Sequence, residues 1–179
     1  MNKYQDKKIL ILGGGTSTLD VQWENLDYDY LWTCNEFYLE PKVYSQNIDL
    51  YLLSYTADLT NTLLRKKLKG SNTTVLFENT HYRGKQDTDQ FKAFEKYIDI
   101  PIIGGNLCSI TKTDSPAAKS GAAFRLIYAA LHSNANVIYF SGFDGFNKEF
   151  SNIHAFTKHR GLKETDTRRT YEGTEDSYV

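Results

Sequence analysis

A short apolar run that ends in three glycines constrains the fold of this chain more than any other feature. The run Lys-Ile-Leu-Ile-Leu occupies residues 8–12, and glycines occupy positions 13–15. A run that is apolar at nearly every position predicts a strand buried on both faces, as in a parallel sheet. Thr16, Ser17 and Thr18 follow, and these residue types favour the start of a helix.

The same alternation of strand and helix continues along the chain. Strands are predicted over residues 8–12, 30–34, 48–54, 74–78, 98–103 and 137–140, and helices over 19–26, 59–68, 89–97 and 117–133. This order predicts an α/β, Rossmann-like fold, with a mostly parallel sheet flanked by helices in a single domain. We expect a nucleotide-binding domain over residues 1–156 and a polar tail or flap over 157–179, where apolar residues become rare.

Composition and charge exclude several classes of protein. The 21 Lys and Arg residues nearly balance 22 Asp and Glu residues, for a net charge of -1, which argues against a nucleic-acid partner. No apolar run approaches the roughly 20 residues of a transmembrane helix, and no signal-peptide core is present. Two cysteines are too few for a disulfide framework or a four-cysteine zinc site. We therefore expect a soluble, cytoplasmic protein, and the 14% aromatic content is compatible with a homo-oligomer.

The glycine-rich segment after the first strand is a candidate phosphate-binding loop. In parallel sheets, ligands bind at the carboxyl ends of strands where the strand order reverses. Glycines let the backbone approach a phosphate, and N–H groups at a helix start attract its charge. A tight turn is the alternative. The spacing matches neither G-x-G-x-x-G nor the P-loop, so an NAD site that uses Glu36 for the ribose is a weaker interpretation.

Other polar residues also follow predicted strands. Asp144 is suited to bind a ribose hydroxyl or to cap a turn. His154 and His159 come after the last strand, and an imidazole there is a candidate general acid or base, with a solvated loop as the alternative. Asp87 and Asp89 form a D-x-D pattern, which we interpret as a helix cap rather than a metal site. No metal is expected.

Four short motifs occur in an order that resembles a known group of enzymes. Leu-Gly-Gly-Gly-Thr-Ser-Thr-Leu stands at 12–19, Cys-Asn-Glu-Phe-Tyr at 34–38, Ser-Gly at 120–121 before a helix, and Ser-Gly-Phe-Asp at 141–144. His154-Ala155-Phe156 resembles a further motif. Over residues 8–156 the chain resembles the bacterial sialyltransferases of glycosyltransferase family 42, and the wider group that includes 6-hydroxymethylpterin diphosphokinase-like and motility-accessory proteins.

The resemblance implies a Rossmann-like domain that binds a CMP-sugar donor and a glycan acceptor, with no metal and no separate cofactor. The nucleotide-binding positions that it implies are Gly13, Gly14, Gly15, Ser17, Asn35, Ser54, Ser120, Gly121, Gly142 and Asp144. His154 or His159 would serve in catalysis. This chain departs from the family pattern at Gly14, where the family has Asn, and at Thr16, where it has Pro.

These patterns predict a small, metal-independent glycosyltransferase that uses a nucleotide-activated sugar. Two alternatives stay open. One is a diphosphokinase-like transfer from ATP, which would need Mg²⁺ held by carboxylates. The other is a binding module for a nucleotide or a sugar that performs no chemistry.

Overall fold

The computed structural model describes residues 3–53, 60–77, 102–104 and 122–144. The predicted helix over 89–97, the boundary at residue 156 and the polar tail over 157–179 lie outside these residues. Within the described ranges, no helix is long and apolar enough to cross a membrane.

The described strands form one six-stranded sheet in which every pairing is parallel. In chain order they are β1 (Lys8–Leu12), β2 (Tyr30–Cys34), β3 (Leu50–Leu53), β4 (Thr74–Phe77), β5 (Ile102–Gly104) and β6 (Val137–Ser141). Their spatial order is β5-β4-β3-β2-β1-β6. The predicted α/β fold with a parallel sheet is therefore confirmed.

The strand order reverses between β1 and β6. From β5 to β1 each strand lies beside its predecessor, whereas β6 lies on the far side of β1. Leu12 of β1 pairs with Thr33 of β2 on one side and with Ser141 of β6 on the other. The carboxyl ends of β1 and β6 therefore form the topological switch point, the place where ligands bind in open α/β sheets.

Short helices connect the strands. They are α1 (Ser17–Asp20), α2 (Pro41–Tyr44), α3 (Thr62–Leu68) and α4 (Ala122–His132), with 3-10 turns at Trp23–Asn25 and Asn35–Leu39. The helix predicted over 19–26 is wrong as a continuous element, because Val21 adopts an extended conformation (φ -90, ψ 136). The helix predicted over 59–68 is found from Thr62, where the Asn61 side chain accepts hydrogen bonds from Leu63 N and Leu64 N.

Two aspartates join neighbouring strands at the amino edge of the sheet. Asp29, just before β2, accepts a hydrogen bond from Lys8 N at 2.9 Å, and Asp49, just before β3, accepts one from Leu31 N at 2.9 Å. Each aspartate N–H also donates to a carbonyl of the same neighbouring strand. These contacts set the strand register, and so determine which residues meet at the opposite edge.

The central strands β1, β2 and β3 are buried on both faces. Leu10 and Leu12 pack on one face with Trp23, Phe37 and Tyr51. On the other face, Ile9 and Ile11 pack with Trp32 and with Leu126 and Ala130 of α4. Because successive side chains point to opposite faces, both faces of β1 are apolar from Ile9 to Leu12, as the sequence pattern predicts.

Helix α4 faces the sheet through Leu126 and Ala130. Leu126 and Ala130 are fully buried. Four apolar residues show helical spacing in the sequence: Ile127 is half-buried, whereas Phe124, Tyr128 and Leu131 are 53%, 40% and 56% exposed. The helical spacing is confirmed, but these three side chains do not form the buried face. The side chain at position 130 has no atoms beyond Cβ, which permits close approach of the helix to the strands.

Candidate functional site

The loops after β1 and β6 contact each other directly at the switch point. Gly13 N donates to Ser141 O at 2.8 Å, and Gly15 N donates to Gly142 O at 2.9 Å. These two bonds extend the β1–β6 ladder beyond the last paired residues, Leu12 and Ser141. The glycine-rich loop is therefore held against the end of β6 at both Gly13 and Gly15.

Three glycines are required by this close approach. Gly142 has φ +79, and a Cβ there would overlap the Gly13 carbonyl oxygen and Thr18 Oγ1. A Cβ on Gly13 would lie 2.6 Å from Gly142 O, and one on Gly15 would lie 2.6 Å from Asp144 Cγ. Each separation is closer than real Cβ atoms come to other groups. Packing of one loop on the other thus explains the glycines at 13, 15 and 142, independently of any ligand.

Asp144 fixes the start of α1 to the end of β6. One carboxylate oxygen, Oδ2, accepts from Ser17 N at 2.9 Å and from Thr16 Oγ1 at 3.3 Å. The other oxygen accepts from the Ser17 hydroxyl, whose oxygen in turn accepts from Gly142 N at 3.1 Å. The sequence suggested that Asp144 either binds a ribose hydroxyl or caps a turn. In the structure it caps the first turn of α1 from a distant segment of the chain.

The Asp144 carboxylate remains charged and accessible. Partial burial acts to raise its pKa, but the hydrogen bonds from Ser17 and Thr16 outweigh that effect and hold the pKa below its usual value. The residue is exposed at the surface. Its hydrogen-bond partners are the backbone and hydroxyl groups of Ser17 and Thr16.

Buried hydroxyl groups support the loop from below. Thr18 Oγ1 donates to Gly13 O at 3.0 Å, and Thr33 Oγ1 donates to Leu12 O at 3.1 Å. The indole N–H of Trp23 donates to Thr18 O at 2.9 Å. Thr18, Thr33 and Trp23 are fully buried, so these bonds are protected from water. They satisfy the carbonyl groups at the end of β1 that leave the sheet.

Lys42 holds the segment between α1 and the following 3-10 turn. Its ammonium group donates to Val21 O at 3.0 Å, forms an ion pair with Glu24 at 3.0 Å and lies 5.0 Å from the Trp23 ring centre. These contacts stabilise the extended Val21 that interrupts the predicted helix.

Asn35 begins the turn after β2, at the same edge of the sheet as the glycine loop. It adopts a left-handed conformation (φ 53), which asparagine tolerates better than most residues. Its carbonyl oxygen accepts a hydrogen bond from Tyr51 Oη at 2.6 Å, and Tyr51 Oη accepts one from Tyr38 N at 3.0 Å. Tyr51 is fully buried on β3. Tyr51 was not identified as a site residue from the sequence.

Cys34 precedes Asn35 but is not a candidate nucleophile. Its side chain is buried at the end of β2, and burial raises the pKa of its thiol to about 12. The reactive thiolate is therefore scarce at neutral pH.

The structure brings several of the predicted site residues together. Gly13, Gly15, Ser17, Gly142 and Asp144 are in mutual contact through the bonds above. The remaining predicted positions are Gly14, which is half-buried in the same loop, Asn35 at the end of β2, and Ser54, Ser120, Gly121, His154 and His159, which lie outside the described residues.

No metal-binding group is found in the part of the chain that the structure describes. There, no cluster of three or more His, Cys, Asp or Glu side chains is suitably placed to hold an ion. The D-x-D pattern at Asp87 and Asp89 lies outside the described residues.

Comparison with known proteins identifies a fold. No family model and no curated protein sequence matches the chain. Among solved structures, the chain is similar to the sialyltransferase CstII from Campylobacter jejuni in complex with a substrate analogue, CMP-3FNeuAc. The TM-score is 0.59 and the identity is 16%, over 97% of this chain and 71% of that one. The comparison does not show a relation to diphosphokinases. The chain has a sialyltransferase-like, Rossmann-like fold.

Proposed function

We propose that this chain is a glycosyltransferase that transfers a sugar from a CMP-sugar donor to a glycan acceptor, without a metal ion or a separate cofactor. One observation carries the proposal. The glycine loop after β1 and the exposed Asp144 after β6 meet at the switch point of the sheet, with Asn35 on the adjacent strand. The sialyltransferase-like fold supports the same assignment.

The donor nucleotide is assigned to the carboxyl edge of β1, β2 and β6. Gly13 N and Gly15 N are bonded to carbonyls at the end of β6, so we propose that a phosphate approaches the glycine loop on the side away from β6. We assign the exposed Asp144 carboxylate to accept a hydrogen bond from a ribose hydroxyl. Asn35 offers a carboxamide, which both donates and accepts. Ser17 has its hydroxyl and N–H on Asp144, so we assign it to holding that carboxylate.

Three further predicted positions complete the proposed nucleotide site. Ser54 follows β3, and Ser120-Gly121 precede α4, and both segments are expected at the same edge. We propose that they contact the nucleotide or its phosphate.

The proposed reaction is a single displacement at the anomeric carbon of the donor. The acceptor hydroxyl oxygen forms a bond to that carbon as the bond to the phosphate oxygen breaks, and CMP leaves with the electron pair. A general base takes the proton of the acceptor hydroxyl. Hydrogen-bond donors stabilise the negative charge that develops on the leaving phosphate. We assign these two roles to His154 and His159.

The test is release of CMP from CMP-sialic acid in EDTA, with and without glycan acceptors. The chain and two variants are compared. Asp144→Asn removes the charge that would face the ribose, and Asp29→Asn is the matched control. Both aspartates are exposed and accept from a backbone N–H, but Asp29 lies at the amino edge of the sheet.

We expect turnover in wild type and Asp29→Asn, and at least a tenfold loss in Asp144→Asn, as for the loss of a hydrogen bond to a charged group. Equal turnover in all three proteins would contradict the assigned site. Nucleotide binding without CMP release in any acceptor screen would contradict the enzyme and favour a binding module. Activity only with ATP and Mg²⁺ would favour the diphosphokinase alternative.

A further inference from the structure

The buried Tyr51 hydroxyl occupies an unusual position in the turn that carries Asn35. A 3-10 turn joins the carbonyl of one residue to the N–H of the third residue after it. In the turn after β2 these groups belong to Asn35 and Tyr38. The Tyr51 hydroxyl donates to Asn35 O at 2.6 Å and accepts from Tyr38 N at 3.0 Å. It therefore bridges both ends of the turn.

The rest of the turn is irregular. Asn35 is left-handed (φ 53) and Glu36 departs from helical geometry (φ -94, ψ 17). A left-handed non-glycine residue has a higher energy than a right-handed one, and such a conformation persists only where the surroundings hold it. The bond from Tyr51 acts on the carbonyl of Asn35 itself, so it restrains the backbone where the chain leaves the sheet.

Core packing requires the Tyr51 ring but not its hydroxyl. Tyr51 is 0% exposed and packs among apolar residues on one face of the sheet. A phenylalanine would fill that space equally well, and an unpaired buried hydroxyl would be unfavourable. Burial raises the pKa of Tyr51 well above its ordinary value, so the hydroxyl remains a donor at neutral pH. Its hydrogen bonds join it to two backbone groups of the Asn35 turn.

We infer that Tyr51 is a positioning residue, whose hydroxyl holds Asn35 in the conformation that binds the donor nucleotide. This inference rests on the proposed function. Tyr51 is fully buried beneath the turn, so its role would be indirect. Its effect on binding would pass through the turn that carries Asn35, and a general contribution to stability would not depend on Asn35.

The experiment measures CMP affinity by calorimetry in wild type, Tyr51→Phe and a matched control, Thr73→Val. Thr73 is 1% exposed and its hydroxyl donates to Ile48 O at 2.7 Å. Both variants remove a buried hydroxyl that donates to a backbone carbonyl, but Thr73 precedes β4 at the amino edge. We expect affinity about tenfold weaker in Tyr51→Phe and unchanged in Thr73→Val, since small displacements of binding groups are costly.

A second pair of variants tests whether the effect passes through Asn35. Asn35→Gly removes the carboxamide, and glycine adopts the left-handed conformation without strain. We expect Asn35→Gly to weaken binding, and Tyr51→Phe to weaken it no further in that background. A further loss of affinity in the double variant, relative to Asn35→Gly alone, would overturn the inference.

The outcomes separate the two proposals. If wild type binds CMP and Tyr51→Phe binds equally well, or if Thr73→Val loses as much affinity, the positioning role is wrong and the proposed function stands. If wild type does not bind CMP, both are wrong.

Discussion

Two glycines with nearly the same backbone conformation allow the contact at the switch point to be measured. Gly142 has φ +79 and Gly70, after α3, has φ +72. A Cβ at Gly70 would have nothing within 4 Å, whereas a Cβ at Gly142 would overlap the Gly13 carbonyl and lie 2.6 Å from its carbon. Alanine at either position therefore imposes the same backbone strain, but only alanine at position 142 also creates a steric conflict.

The magnitudes follow from these two contributions. A left-handed non-glycine residue costs about 1–2 kcal/mol, and this applies to both variants. Extra volume in a packed site costs about 1–3 kcal/mol more, and this applies to Gly142→Ala alone. The groups around Gly142 are mainly backbone and cannot move aside as a flexible side chain would. We expect losses of about 1–2 kcal/mol for Gly70→Ala and about 2–5 kcal/mol for Gly142→Ala.

Urea unfolding at 25 °C, followed by circular dichroism, measures both losses against wild type. The slope of free energy against urea concentration should be the same in all three proteins, so that shifts of the midpoint report stability. A Gly142→Ala loss equal to that of Gly70→Ala would refute the close packing of the two loops. A Gly70→Ala loss near zero would refute the left-handed conformation there.

Three further predictions concern the chemistry of individual side chains. Cys34 should resist alkylation by iodoacetamide at pH 8 in the folded protein and react in urea, as read by peptide mass spectrometry, because burial raises its thiol pKa to about 12; rapid labelling of the folded chain would contradict that burial. Folding lowers the pKa of the Asp144 carboxylate. The carboxylate should therefore stabilise the fold at pH values above its ordinary pKa of about 4, and this stabilisation should be lost as the pH falls through its pKa in the folded protein. The difference in the free energy of unfolding between wild type and Asp144→Asn should therefore shrink on acidification. A difference that does not change with pH would contradict the lowered pKa. His154→Ala should abolish CMP release while CMP still binds, and wild-type turnover would exclude its role.

The parts of the fold that were predictable from sequence are those set by local burial. The strands at Lys8–Leu12 and Tyr30–Cys34 have the predicted bounds, because each is a short run buried on both faces. The buried face of α4 was not predictable from the spacing of its large residues, since Leu126 and the small Ala130 pack on the sheet instead. Helical periodicity identifies a helix, but tertiary packing decides which side faces the core.

The site was predictable as a set of positions but not as a set of contacts. Residues that follow parallel strands must lie at one edge, which is why Gly13 and Asp144 were both identified. The bond from Ser17 to Asp144 joins residues 127 positions apart, and the sequence contains no signal of it. Tyr51 was missed for the same reason, because it resembles any aromatic residue of a buried strand until its hydroxyl is seen on Asn35.

Thermal unfolding with added nucleotides tests the central claim most directly. CMP, CDP, UDP, ATP and NAD are each added in EDTA and again with Mg²⁺, to wild type and to Asn35→Gly. A ligand at about 100 times its dissociation constant stabilises a fold by about 2.7 kcal/mol, or roughly 5–10 °C for a chain of this size. We predict that the cytidine nucleotides raise the melting temperature of wild type in EDTA, and of Asn35→Gly much less. No shift with cytidine nucleotides, or a shift only with ATP and Mg²⁺, would contradict a CMP-sugar site at this edge of the sheet.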